Sequence, residues 1–168
     1  VRVVPRSGAA RAMKDAAVRR VAGLRPGDLY SEQELERAKR ALYRTEAFAH
    51  VTVLGDSSLS PRDSIVGVTL DVTEGYMRSA RLGGGWGTLD CVRATADFTQ
   101  YNFLGGATRL DLRGRVSKIG VGEPLTGLES LCPQAHSDLY SRDLNYYVGA
   151  TLTQPAKGGA NQARAFVG

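Results

Sequence analysis

Two histidines, two cysteines and a run of glycines are the residues of this chain best suited to chemistry, and none sits in a spacing that chemistry requires. Gly83, Gly84, Gly85 and Gly87 could cradle a phosphate, but such loops lead through Lys-Ser or Lys-Thr into a helix, and neither follows. His50 and His136 have no nucleophile or carboxylate arranged around them by motif, and no G-x-S-x-G occurs. Cys91 and Cys132 form neither a paired metal spacing nor a C-x-x-C redox pair. No enzyme, metal or cofactor is expected.

What the charged residues do carry is a periodicity. In Arg109 to Ser117 one face shows Arg109, Asp111, Arg113, Arg115 and Ser117, and the other Leu110, Leu112, Gly114 and Val116. Successive strand side chains point to opposite faces, so this is a strand with an ionic side and an apolar side. The same phase recurs in Val92 to Gln100, where Arg93, Thr95, Asp97 and Thr99 oppose Val92, Ala94, Ala96 and Phe98. It recurs again in Leu144 to Thr153. Strands of about ten residues suit a transmembrane β-wall whose ionic face lines a wet lumen. Arg93, Asp97, Arg109, Asp111, Arg113 and Arg115 are therefore expected to face that lumen, the aspartates offsetting arginine repulsion. Trp86, Phe98, Tyr101, Phe103, Tyr146 and Tyr147 lie toward strand ends or turns in several cases, as an interfacial girdle would.

Composition is compatible with this without requiring it: 42% hydrophobic and 23% charged residues, with a mean hydropathy of -0.23. No run approaches the roughly 18 apolar residues of a spanning helix, so any membrane is crossed by strands. The formal charge of +5 permits nucleic-acid binding, but the basic residues are spread along the chain and interleaved with aspartates rather than gathered on one surface. No nucleic-acid partner is expected. With no leader visible before Val1 and a strand pattern unfinished at Gly168, the chain reads as part of something longer.

The elements that position these residues fall into two halves. Val1 to Val4 reads as a strand stub, Pro5 to Gly8 as a turn, and about Ala9 to Val21 as a helix burying Met13, Ala17 and Val21 and ended by Gly23. Pro26 and Gly27 mark a turn. Ser31 with Glu34 predicts a capping box opening a second helix with Leu35, Ala38, Leu42 and Tyr43 as its stripe. Strands follow at about Ala49 to Leu54 and, after a polar loop containing Asp56, Ser57, Ser58, Ser60 and Pro61, at about Ser64 to Glu74. The order is strand, helix, helix, strand, strand.

After Gly75 the helical pattern stops and strands are expected at about Arg78 to Gly87, Val92 to Tyr101, Ala107 to Ser117, Asp143 to Gln154, and from Gln162. Connections are short at Thr88 to Cys91, moderate at Asn102 to Gly106, long at Lys118 to Arg142 and short at Pro155 to Asn161; with entry from the periplasm the first and third fall outside, the first of them short. Compact periplasmic turns and larger external loops are the habit of outer-membrane barrels. This placement puts Cys91 and Cys132 on the same outer side, where an oxidising environment permits a disulfide.

The segment GLRPGDLYSEQELERAKRALYRTEAFAHVTV (Gly23 to Val53), closed by VTLDVTEG (Val68 to Gly75), resembles a POTRA domain of the BamA/TamA superfamily of outer-membrane assembly factors. RLGGGWGTLDCVRATADFTQYNFLGGATRLDLRGRVS (Arg81 to Ser117) is similar to that family's opening barrel strands, and NYYVGATLTQP (Asn145 to Pro155) to a later strand and turn. The resemblance implies an α+β POTRA domain (β-α-α-β-β) over residues 1–76 in the periplasm. Over residues 77–168 it implies the first strands of an antiparallel transmembrane β-barrel in the bacterial outer membrane.

It further implies assembly and insertion of barrel proteins, with unfolded outer-membrane clients, the lipid bilayer and periplasmic or lipoprotein accessory subunits as partners. Clients would add to the strand His50, Val51, Thr52, Val53 and Leu54, and to a lateral seam strand of Arg81, Leu82, Gly83, Gly84, Gly85, Trp86 and Gly87, whose glycines weaken strand order. Two other readings remain open at this point: a two-partner secretion transporter with the same parts, and a soluble α/β domain joined to a β-sandwich.

Overall fold

The computed structural model describes residues 2–5, 12–56, 65–137, 143–155 and 162–167. The chain divides into two compact units, the first comprising Val1–Arg78, Gln100–Leu110 and Leu152–Ala165, and the second Ser79–Thr99, Asp111–Thr151 and Phe166–Gly168. The first unit thus includes the turn expected at Asn102 to Gly106 as well as the N-terminal half.

In that half the elements are β1 (Arg2–Pro5), α1 (Asp15–Ala22), α2 (Glu32–Tyr43), β2 (Phe48–Asp56) and β3 (Gly67–Glu74). This is the order read from the sequence. The sheet runs β1-β3-β2, with β1 parallel and β2 antiparallel to β3. A parallel pair needs a long crossover, which the two helices supply. Val51 and Val72 face each other across the ladder, as do Val53 and Leu70.

Against these strands pack Val18, Val21, Ala38 and Leu42 from the helices, together with Met13, Phe48, Leu70, Val72 and Ala107. Met13 is buried as expected but precedes the helix. The Glu74 carboxylate accepts the N–H groups of Ala12 and Met13 at 2.8 and 2.9 Å, and α1 starts only at Asp15. Gly23 ends α1 in the left-handed region (φ 76°), its N–H returning to the Arg19 and Arg20 carbonyls, a conformation glycine adopts without steric cost.

Ser31 is the N-cap of α2, but its side chain makes no capping hydrogen bond. Glu34 pairs instead with Arg37 one turn on. The capping box is therefore not formed, because the nearby guanidinium claims the carboxylate that would have reached back. Of the loop after β2, Ser57, Ser58, Ser60 and Pro61 lie outside the described residues, as do 6–11, 138–142 and 156–161 of the other expected turns and ends.

Five strands make the second sheet: β4 (Arg78–Gly87), β5 (Cys91–Phe103), β6 (Thr108–Ile119), β9 (Asn145–Pro155) and β10 (Gln162–Val167). Their order is β10-β9-β6-β5-β4. Residues 88–90 and 104–107 are connections that only antiparallel neighbours can use. The sheet is open, with β4 on one edge and β10 on the other. The long connection after β6 is not featureless: it holds the short hairpin β7 (Val121–Gly122) and β8 (Leu125–Thr126), then the single turn α3 (Pro133–His136). Pieces this short carry too little periodicity to be read in advance.

The burial pattern predicts that Leu42→Ala, at a fully buried position, lowers unfolding free energy by about 2–5 kcal/mol. Leu29→Ala, at a side chain 94% exposed, should stay within about 0.5 kcal/mol of the parent. Denaturant titration followed by circular dichroism checks both, and equal losses would contradict the assigned core.

Candidate functional site

Among the described residues β2 and β4 each pair on one side only, and they are the two strands singled out in the sequence as client edges. On β2, residues of an antiparallel pair alternately point their N–H and C=O at the partner and away from it. Val51 points away from β3. Its N–H donates to the Tyr43 hydroxyl at 3.0 Å, and that hydroxyl lies 3.5 Å from the Val51 carbonyl oxygen. Val53 is in the same phase, whereas Thr52 and Leu54 turn their main chain inward. Side chains follow the opposite sheet normal alternately: Val51 is buried in the core, while His50 Nε2 and Thr52 Oγ1 meet at 2.8 Å on the other face. Tyr43 entered the sequence reading only as part of an apolar stripe, and nothing in its spacing distinguishes an edge cap from a core residue.

On the second sheet β4 is the edge strand, and its glycines have a packing role. A Cβ at Gly83 would come within 2.7 Å of Thr95 Oγ1, and one at Gly85 within 2.9 Å of Arg93 Nε. The β5 side chains thus lie across β4 where side chains of its own would stand. Gly83, Gly84, Arg93, Thr95 and Arg115 line a groove of about 250 Å³ along this strand. Arg81 and Leu82 are exposed.

The polar face is a cross-strand network. Asp97 of β5 accepts from Arg113 Nε of β6 at 2.8 Å, and Thr99 donates to Asp111 at 2.8 Å. Asp90 pairs with both Arg115, at 3.1 Å, and Arg93, at 3.7 Å. Pairs this open to solvent add little net stability. Their effect is to cancel charge along one face, so that a row of arginines can stand on neighbouring strands. Leu112 of β6 and Tyr146, Val148 and Leu152 of β9 are exposed apolar side chains.

Arg109 has further partners of its own. In the first unit its guanidinium meets Glu46 Oε2 at 2.7 Å and stands 5.2 Å from the Tyr101 ring centroid. The turn beside it is held by three further contacts: Arg20 donates to the Gly106 carbonyl at 2.6 Å, Asn102 Nδ2 to the Ala12 carbonyl at 2.8 Å, and the Ala107 N–H to Asn102 Oδ1 at 3.2 Å. Ala107 joins the helix core, with Tyr101 packed on it. Sequence reasoning missed Arg20, Glu46 and Asn102 because contacts between distant segments leave no periodicity.

Cys91 and Cys132 are joined in a disulfide, with Cα atoms 5.6 Å apart. Around it Val121 and Ala135 are buried, with Val92 and Leu128 packed against them, and Trp86 Nε1 lies 3.3 Å from Cys132 Sγ. The bond ties the start of β5 to the long connection. Among the described residues no group of three or more histidine, cysteine or acidic residues could hold a metal ion, and no helix is long and apolar enough to cross a membrane.

Residues 4–75 match the POTRA family, described as surface antigen variable number repeat. They are a POTRA domain. Among solved structures the chain is similar to BamA from Haemophilus ducreyi lacking POTRA domains 1–3, with a TM-score of 0.58 and 21% identity. That similarity covers 92% of this chain and 24% of the other, so the chain spans about a quarter of the length of the protein it matches. No curated protein matches. The family match thus lies in residues 4–75, and the likeness to BamA shows a shared fold across nearly the whole chain.

Closing a loop of sequence separation 41, the disulfide restricts the unfolded chain, and bridges of this kind contribute about 2–4 kcal/mol. The double variant Cys91→Ser with Cys132→Ser should unfold at a correspondingly lower denaturant midpoint under non-reducing conditions. An unchanged midpoint would show that the bond adds nothing beyond the packing around it.

Proposed function

We propose that the chain serves the assembly and insertion of β-barrel proteins into the bacterial outer membrane, with residues 1–76 in the periplasm and 77–168 contributing strands to the barrel wall. What supports this is the POTRA domain of residues 4–75 and the fold shared with BamA, with β2 and the glycine-rich β4 each at the margin of its sheet. An open edge presents main-chain donors and acceptors that a further extended segment can pair. In hydrocarbon each unpaired group costs several kcal/mol, so an edge facing lipid strongly favours an incoming strand. No covalent step is involved; the reaction is an exchange of hydrogen-bond partners.

The two edges have separate tasks. His50, Val51, Thr52, Val53 and Leu54 receive an unfolded client in the periplasm. Arg81 to Gly87 then offers the lateral seam at which the client enters the wall, where Gly83, Gly84 and Gly85 keep the strand easy to separate from a neighbour. Arg93, Asp97, Asp111, Arg113 and Arg115 face the enclosed interior, and Leu112, Val148 and Leu152 face lipid. Periplasmic or lipoprotein accessory subunits dock on the POTRA surface. The charge-cancelled polar face and the exposed apolar side chains of β6 and β9 favour this over a soluble sandwich, which would bury its apolar side chains between sheets.

Val53→Pro tests the first task. Proline is tolerated on an edge where its missing N–H would face away from the ladder, so the POTRA fold should persist while an added strand loses a main-chain bond. The rate of client insertion into liposomes should fall roughly tenfold, the equivalent of one or two lost hydrogen bonds. A rate equal to the parent's, with the variant folded, would remove β2 from the mechanism.

A further inference from the structure

We infer that Tyr43 gates the open edge of β2, its hydroxyl occupying the main-chain groups of Val51 that an added strand must take over. The inference deepens the reading of this edge as a client site and rests on it. A hydroxyl is one of the few side-chain groups able to imitate a neighbouring strand, because it can accept from an N–H and donate to a C=O at the same residue. Tyr43 does both at Val51, at 3.0 Å from the nitrogen and 3.5 Å from the oxygen. The first is a normal hydrogen bond and the second is at its limit, so the cap is weak enough to be exchanged.

Position makes the cap removable. Tyr43 is the last residue of α2, with 39% of its surface exposed, so its ring is not enclosed by the core as Leu42 is. Rotating it away frees Val51 without moving the helix or the sheet. The next outward-facing residue, Val53, lies beyond the hydroxyl. At Gly55, two positions further, the Tyr30 ring covers the helix-side face so closely that an added Cβ would sit 2.7 Å from its hydroxyl.

An incoming segment therefore meets Val53 first and gains the Val51 pair only by displacing Tyr43. A segment too short to span both residues gains too little to open the gate, while a long extended strand pays one exchange and keeps pairing. The same cap lowers the tendency of two copies to join edge to edge, a liability that uncapped edge strands carry. The selected ligand class is thus an extended segment of several residues with free main-chain amides on one side.

The probe is a synthetic peptide of residues Asn145–Pro155, NYYVGATLTQP, titrated into the detergent-solubilised protein, with a control peptide N-methylated on alternate amides. Tyr43→Phe keeps the ring and removes the hydroxyl. It should bind the peptide about three to ten times more tightly than the parent, the release of one modest hydrogen bond, and the methylated control should bind neither protein. Without peptide, amide exchange at Val51 should quicken in the variant while Thr52 is unchanged. Affinity equal to or weaker than the parent's, or unaltered exchange at Val51, overturns the gate. If Val51 exchange quickens but the peptide binds neither protein, strand addition at this edge is itself overturned, and the gate with it.

Discussion

Every extended segment in this chain is governed by one requirement: a main-chain N–H or C=O must have a partner wherever water cannot supply one. Inside each sheet the ladders meet it. At the edges it remains open, and there the two sheets differ. The β2 edge is answered at Val51 by a side chain, Tyr43. The β4 edge carries glycines, across which Arg93 and Thr95 of the neighbouring strand extend. One edge thus meets a tyrosine hydroxyl, and the other is thinned by Gly83, Gly85 and Gly87 beyond Arg81.

The remaining features of the two units follow from holding those edges still. In the first unit, Leu42, Val18 and Val21 fix the helices on the POTRA sheet, so that the end of α2 reaches the strand it caps. The turn after β5 is pinned by Arg20, Asn102 and Glu46, all reaching main chain or charge rather than burying area. In the second unit the disulfide anchors the start of β5, and Arg93 and Thr95 of β5 lie across the middle of β4. The salt bridges between β5 and β6 add charge balance rather than stiffness.

Legibility in the sequence tracked periodicity. The bounds of β4, β5, β6 and β9 could be read closely because alternation of Arg109, Asp111, Arg113 and Arg115 with Leu110, Leu112 and Val116 has only one explanation as local structure. The helix stripe at Ala38 and Leu42 was as clear. What could not be read depends on contacts between distant residues. Glu74 binds the backbone ahead of α1, Arg37 pairs with Glu34, and Arg109 of β6 reaches Glu46. The candidate strands at both edges were named in advance, but the Tyr43 cap was not, since a tyrosine on an apolar helix stripe looks like core until the strand beside it is placed.

The most direct test of the account is residue-resolved amide hydrogen exchange on the detergent-solubilised protein, with and without an unfolded barrel client. Client addition should slow exchange at Val53 and at alternate residues of β4 around Gly84, leaving the inward-pointing amides of Thr52 and Leu54 as they were. Uniform slowing of both phases, or no change at either edge while the client is inserted, would contradict the claim that open strand edges receive it.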